Sequence, residues 1–508
     1  MLDSFFNLFS SFSSSSPDNT HDDTYPVHFY GQTGVIRDTI SNYALRYNAV
    51  LDADKLRDSL VSLINTGEWR ALGGRLRCNV HILAPALCIS NLQTNTFQKN
   101  KELEIKVPRE FTPARPAIRF SRVSFDSKID LHPTTCRLPR TTGDIPSVHE
   151  GYAAFRGMTI PDDCQQTMQY YLDTDEPMIR LHVVSFADAT LVSLIFPHAL
   201  TDIMGFSGLL RAWSDVLAGQ QAQDLLGMRE DALAGVGMTS EKEQAPHVLE
   251  HIQIKGLSLV LFATRLFWDF ITKRNVSSRT IYLPATFISR LRQNVKEEGA
   301  PDHVPFLSDS DLITAWGSRA LLASKGSGPA MIYNILDMRG RLSALSSTAG
   351  TYVQNLVVPV VVYLPELGPS LPTIGYLAQR NRQSITEQAT DTQLQRLMRL
   401  SRKSYASTGF VSIFGKWDAK GAKFSNWSRA RLGEAADFSP AVVPTSVNAH
   451  SHEKICLPAS YWGTSTLEDK LRDRFAVYGK DQEGNYWLQG VLRDETWKYI
   501  QREFDAYQ

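Results

Sequence analysis

His198 and Asp202, four residues apart in the stretch LVSLIFPHALTDIMGFSGLLRAWSDVLAG (Leu191–Gly219), are the titratable residues best placed to do chemistry in this chain. An imidazole has an unperturbed pKa near ~6.5, so modest adjustment makes it a base at neutral pH. Such a base could take a proton from a substrate that reaches it. The same residues also admit a plain structural reading, with His198 hydrogen-bonded inside the fold and Thr201 or Asp202 only capping the next helix. Schemes built on a covalent nucleophile find less support, because there is no G-x-S-x-G elbow and no cysteine set beside a histidine. His450 and His452 in AHSHE could ligate a metal. Two histidines two apart in a polar loop read more simply as solvated side chains, and no metal site is expected.

The elements around this pair are legible. Leu191, Val192, Leu194, Ile195 and Phe196 form a nearly continuous apolar run of the kind a buried strand makes, and Pro197 ends it. Helical spacing follows, with Phe206, Leu209, Leu210, Trp213, Val216 and Leu217 on one stripe and Gly219 as a stop. His198 therefore falls at a strand-to-helix junction on the edge of a core. Ile179–Phe186 alternates as a strand and leads into it by a short turn. Upstream, Tyr43, Leu45, Tyr47 and Val50 predict a strand, and Asp52 or Asp54 caps a helix that buries Leu56, Leu60, Leu63 and Ile64. Residues 100–150, rich in Pro, Thr and Arg, predict extended or looping structure. Downstream come a strand at Thr280–Leu283, a helix over Phe287–Val295, and a second helix, SDSDLITAWGSRALLAS, capped by Ser308. Two strands follow, MIYNILDMR and YVQNLVVPVVVYL. The latter is apolar on both faces and predicts a central strand, in which Pro359 sits awkwardly.

Lys plus Arg and Asp plus Glu each number 53 among 508 residues, so the chain has no formal net charge. With no basic run, nucleic-acid binding is not expected. The five cysteines (Cys78, Cys88, Cys136, Cys164 and Cys456) lack paired spacing, which suits a reducing, cytoplasmic setting. The first 24 residues, rich in Ser, Asp and Asn, predict disorder and make a poor signal peptide. Residues 219–246 carry no apolar stripe and read as a linker. Residues 257–271, LSLVLFATRLFWDFI, are the most apolar segment but are too few to span a bilayer and include Arg265 and Asp269. They predict a buried or partner-facing helix, with peripheral membrane contact as the lesser option. The sequons at Asn275 and Asn426 matter only in a secreted protein.

HALTD fits the H-x-x-x-D motif of the plant and fungal CoA-dependent acyltransferases known as BAHD enzymes. Further stretches resemble that family in the same order: LDADKLRDSLVSLINTGEWRALGGRLR, SDSDLITAW, ILDMRGRL and TYVQNLVVPV. The resemblance covers most of the chain from residue 25 onward, and it looks closest to fungal natural-product O-acyltransferases, the group that includes trichothecene acetyltransferases. The family's D-F-G-W-G motif is altered. Ser425, Trp427, Asp437 and Phe438 are present in SNWSRARLGEAADFSPA, but Ser439, Pro440 and Ala441 replace its glycine-tryptophan-glycine part. Gln354 replaces the usual glycine of the TYVQNLV stretch.

The resemblance implies an α/β fold of two chloramphenicol-acetyltransferase-like domains, residues 25–218 and 279–508, joined by a crossover at 219–278, with an active-site channel at their interface. It implies that His198 is the general base for acyl transfer from acyl-CoA, most simply acetyl-CoA, to a hydroxyl of a hydrophobic terpenoid or polyketide. Asp202 would pair with an arginine that fixes the loop, Arg339 first and Arg341 as the fallback. Ser425 and Trp427 would line the acceptor or oxyanion wall, and Asp437 would be structural. No bound cofactor, no metal and no membrane span are expected, and a monomer is. The altered DFSPA motif leaves a rival reading, a CoA-independent condensation or pericyclization catalyst on the same fold. A non-catalytic binding member is the other, against which an intact His198 and Asp202 argue.

Overall fold

The computed structural model describes residues 22–81, 100–238, 245–272, 275–298, 306–346, 349–368, 370–444, 456–466, 468 and 471–507. Residues 1–21, Cys88, His450 and His452 lie outside them, so the expectations of N-terminal disorder and of solvated histidines fall on undescribed residues. Residues just beyond are ordered, since Asp23–Pro26 pairs with Asn100–Val107.

The strand Thr190–Pro197 is buried at every position because it lies between Ile40–Tyr47 and Arg180–Ser185 in a five-stranded sheet. A strand with neighbours on both edges and cover on both faces has no side to give to polar residues, which is why its sequence does not alternate. Helices Ala53–Ile64 and Ile203–Leu217 pack together with this sheet, and Phe206, Leu209, Leu210 and Trp213 of the second belong to the same core. A seven-stranded sheet carries the C-terminal half, in the order 357–364, 330–337, 420–426, 474–480, 486–493, 276–283, 147–150. Its core is closed by the helices Ala285–Glu297, Asp309–Ala323, Ile374–Gln388 and Asp494–Asp505. Ser308 caps the second of these in a reciprocal capping box with Asp311.

Each sheet borrows an edge from the other half of the sequence. Ser460–Ser465 pairs antiparallel with Ile40–Tyr47, and Ser147–Glu150 pairs with Val276–Leu283. Two strands thus cross the division between 25–218 and 279–508. The crossover also contributes a strand of its own, Asp224–Leu226, parallel to Gly350–Tyr352.

Three expectations change. Residues 100–150 hold the strands Asn100–Val107, Arg119–Ser124 and Ser147–Glu150, whose partners are far away in sequence and so leave no local signal. YVQNLVVPVVVYL is not one central strand. It breaks between Tyr352 and Val357, and Val357–Leu364 is an edge strand that accommodates Pro359 opposite Ile335. It is apolar on both faces because Val362 and Leu364 enter one core while Val358 and Val361 enter another. Finally, Leu257–Thr272 forms the expected helix, but none of its residues is buried. Its charged residues face the protein. Arg265 donates to the carbonyls of Trp417 and Ala419, and Arg493 forks onto Asp269 at 3.1 and 2.6 Å. Leu257, Val260 and Trp268 stay 74, 60 and 67% exposed. Among the described residues no helix is long and apolar enough to cross a membrane.

Candidate active site

The loop after Pro197 is fastened from both halves. His198 donates its backbone N–H to the Thr39 carbonyl at 2.8 Å, and its own carbonyl accepts from Asn355 Nδ2 at 2.8 Å. The same amide reaches the Ala199 carbonyl at 3.2 Å. Asp202 ends the loop, where its Oδ1 caps the helix by accepting from Gly205 N at 2.8 Å. Its Oδ2 accepts from Leu356 N at 2.8 Å and from Arg339 Nη1 at 3.1 Å. A Cβ at Gly205 would stand 2.1 Å from the Val353 carbonyl oxygen, so glycine lets the segment 353–356 approach the helix.

Arg339 does not fork onto Asp202. Its donors are divided: Nη1 serves Asp202 and also Asp337 at 2.9 Å, Nε serves the Tyr352 carbonyl at 3.1 Å, and Nη2 the Gln354 carbonyl at 2.6 Å. The expected pairing with Asp202 is thus one bond of a hub joining two carboxylates and two carbonyls. Among the described residues the Arg341 guanidinium donates to the Asp337 carbonyl, at 3.0 Å, and not to Asp202. Asp337 was not singled out from the sequence, although it lies two residues before Arg339, and neither was Asn355. Burial raises the Asp337 pKa against the opposing pull of Arg339, whereas the two carboxylates outweigh burial at Arg339 and hold its pKa up.

The His198 side chain is partly exposed at the edge of the core. Nδ1 is sealed from solvent without a hydrogen-bond partner among the described residues. Burial pushes the imidazole pKa down, opposed by its own backbone carbonyl, Asp202 and Asn355, so the ring is held in the neutral, proton-accepting form.

Part of one face of the seven-stranded sheet is uncovered. Ile335 is 42% exposed and Lys423 is exposed, although both sit on strands with neighbours on either side. Ile335 pairs with Ser425, which pairs with Ala476, on the face opposite the core residues Ala422, Phe424, Phe475 and Val477. Trp427, just beyond, packs on Tyr43 and Tyr478 with ring centroids 5.4 and 4.8 Å apart, and Tyr43 in turn meets Phe196 and Phe206. These rings connect the wall at Ser425 to the strand and helix that flank His198. The Trp427 indole N–H donates to Ser425 Oγ at 3.0 Å, so it orients that hydroxyl instead of facing a substrate itself. A cleft of about 500 Å³ lies elsewhere, beside Lys255, Leu259, Arg399 and Lys403, and none of these candidates lines it. No group of acids, histidines and cysteines able to hold a metal occurs among the described residues.

The chain matches no protein-family model. It is 40% identical to the acetyltransferase BOT5 of Botryotinia fuckeliana over 96% of its length and 91% of the relative's, and 35% identical to the acetyltransferase pyiB of Pyricularia grisea over 96 and 94%. The chain belongs to the fungal BAHD-like acyltransferases. Crystal structures agree on the fold of this acyltransferase. TRI101 of F. graminearum, complexed with coenzyme A and T-2 mycotoxin, aligns with a TM-score of 0.64 over 96% of this chain and 98% of that one at 15% identity. Vinorine synthase gives 0.57 over 97 and 95% at 11% identity.

The acyltransferase's departures from its family's motifs have structural accounts. Gln354 donates to the Leu226 carbonyl at 2.9 Å and to Met228 Sδ at 3.3 Å, which ties the TYVQNLV segment to the crossover. In DFSPA, Phe438 is fully buried, stacks on Tyr47 and touches Trp213. Asp437 accepts from the backbone N–H and hydroxyl of Ser439, whose Oγ accepts from Cys456 N at 2.6 Å. The turn is also tied to the N-terminal half, where Asp52 N donates to the Ala441 carbonyl at 2.7 Å and the Tyr47 hydroxyl to the Ala436 carbonyl at 3.0 Å.

Proposed function

We propose that this acyltransferase is an O-acetyltransferase that moves an acetyl group from acetyl-CoA to a hydroxyl of a hydrophobic natural product, a terpenoid or polyketide. The supporting observation is His198 itself: a partly exposed imidazole, its pKa lowered by burial, on a loop clamped by both halves; in this reading it faces a channel floored by Ile335 and Ser425. The acceptor hydroxyl gives its proton to the imidazole as its oxygen bonds the acyl carbon. The C–S bond then breaks, and the imidazolium returns the proton to the CoA thiolate. Positioned proton transfer of this kind contributes ~100- to 10,000-fold. Asp202 and Arg339 hold the loop, Ser425 oriented by Trp427 faces the acceptor or the tetrahedral oxyanion, and Asp437 holds its own turn. Residues 25–218 and 279–508 form the two domains about the channel, joined by the crossover. The enzyme acts as a cytoplasmic monomer; the cytoplasmic part of this reading is supported by Cys136, Cys164 and Cys456, which form no disulfide among the described residues.

Incubating the enzyme and acetyl-CoA with a panel of hydroxylated terpenoids and polyketides, followed by mass analysis, tests this. One acetyl mass gained on a hydroxyl-bearing acceptor, with release of the CoA thiol, is the expected result. Product formed without thiol release would point to a CoA-independent reaction.

A further inference from the structure

The channel floor carries two cations that proton transfer at His198 does not use. Lys423 and Arg474 are register partners on adjacent parallel strands, so their side chains leave the same face of the sheet side by side. Like charges directly opposite one another destabilise a sheet, and in a protein interior their repulsion is poorly screened. Neither side chain makes an ion pair or hydrogen bond among the described residues. Of the nearby acids, Asp473 is held by Lys325 and Arg493, and Glu468 accepts from Ser278 and Gln489 through Oε1, its Oε2 making no hydrogen bond among the described residues. Arg474 Nε is sealed from water without an acceptor, while Lys423 is exposed to the channel. Burial lowers the pKa of both groups.

The backbone accepts strain to place this pair. Asp473 adopts φ 54°, a left-handed conformation unfavourable for a residue with a side chain, directly before Arg474. Lys325 and Arg493 lock its carboxylate, and its carbonyl accepts from Lys423 N at 3.1 Å. The pair also lies inside the candidate site. Lys423 is two residues from Ser425, about 7 Å along the strand, and Arg474 is close enough to Tyr43 and Tyr478, the two rings under Trp427, for its charge to act on both.

We propose that Lys423 and Arg474 form an anion-binding subsite in the channel that takes a phosphate or carboxylate group of a substrate. The acyl-transfer reading is needed only to say which substrate brings the anion: the donor through the phosphates of CoA, or the acceptor through an acidic group. A guanidinium beside an ammonium offers a planar fork and a point charge converging on one oxyanion group.

Two measurements test the subsite on the full-length enzyme. The first is the thermal midpoint with inorganic pyrophosphate or CoA, which needs no turnover and so stands or falls independently of the acyl-transfer reading. Pyrophosphate or CoA should raise the midpoint of the wild type but not of K423Q or R474Q. The second is initial rates with acetyl-CoA and with S-acetylpantetheine, which has the thioester but no phosphate. K423Q and R474Q should raise one KM by ~10-fold or more, as loss of a charge-assisted bond predicts, with R474K closer to the wild type. A rise confined to acetyl-CoA assigns the anion to the donor, and a rise in the acceptor's KM with either donor assigns it to the acceptor. No shift of the wild-type midpoint with either ligand overturns the subsite. So do KM values within ~2-fold of wild type, or equal rises for S-acetylpantetheine and an uncharged acceptor, which mark a purely structural pair.

Discussion

Removing Arg339 should cost more than removing Asp202, because the two ends of their ion pair are not equivalent. Arg339→Met strands two carboxylates, Asp202 and Asp337, whose side chains are 3 and 10% exposed, and leaves the carbonyls of Tyr352 and Gln354 without a donor. Uncompensated charges of that kind cost ~3 to 5 kcal/mol. Asp202→Asn keeps an oxygen able to cap the helix at Gly205, and Arg339 keeps Asp337 as a counter-charge. Its cost should be ~1 to 2 kcal/mol, that of weakening charge-assisted bonds. In the double variant the Asp202 charge that Arg339 neutralised is gone as well, so the losses should fall short of additive by ~1 to 3 kcal/mol. Arg339→Lys should not rescue, because one ammonium cannot reach four acceptors spread around a planar fork. Urea midpoints followed by far-ultraviolet circular dichroism provide the assay, with the m-value checked for constancy across the series. Additive losses, or an Asp202→Asn cost equal to that of Arg339→Met, would refute the hub.

His198→Ala should lower kcat ~100- to 10,000-fold while leaving the urea midpoint near wild type, measured by CoA thiol release under saturating substrates. Burial lowers the folded pKa of this histidine below the ordinary ~6.5, so kcat/KM should stay flat as pH falls to ~6.5 and decline only below it. The unfolded chain takes that proton first, so the His198 contribution to stability should erode as pH falls through ~6.5, and the alanine variant should lose part of this acid sensitivity. Gly205→Ala should cost ~1 to 3 kcal/mol by urea unfolding, since its methyl would collide with the Val353 carbonyl and the Thr201 hydroxyl. Trp427→Phe keeps a ring against Tyr43 but removes the donor to Ser425. Its effect should appear in the acceptor's KM and kcat, with KM for acetyl-CoA unchanged.

Local patterning made the strand–His198–helix junction legible, because a strand buried between two neighbours and a helix with one apolar face both imprint their periods on adjacent residues. Arg339 was reached only through resemblance to a family, since no local pattern joins it to a carboxylate 137 residues away. Asp337 and Asn355 escaped notice for the same reason. Their partners are carbonyls and an arginine assembled by the fold, and neither is unusual in its own segment. The exchanged edge strands Ser147–Glu150 and Ser460–Ser465 are four and six residues long, too short to show a period. Lys423 carries no mark in its own segment of its register with Arg474, since the pairing is made by the fold.

The helix Leu257–Thr272 bears on how the enzyme behaves in concentrated salt. A surface helix normally turns its charges to water, but here Arg265 and Asp269 are turned inward and an uncharged stripe through Leu257, Val260, Leu261 and Trp268 is turned outward. Each large apolar side chain left in water forgoes ~1.5 to 3 kcal/mol of transfer free energy, and salts excluded from protein surfaces raise that penalty further. With no net charge to keep molecules apart, the enzyme should salt out at low ammonium sulfate and be held strongly by hydrophobic-interaction media. Leu257→Ser, Val260→Ser and Trp268→Ser together should move precipitation to clearly higher salt with no change in the urea midpoint. The fold itself gains nothing from those three side chains.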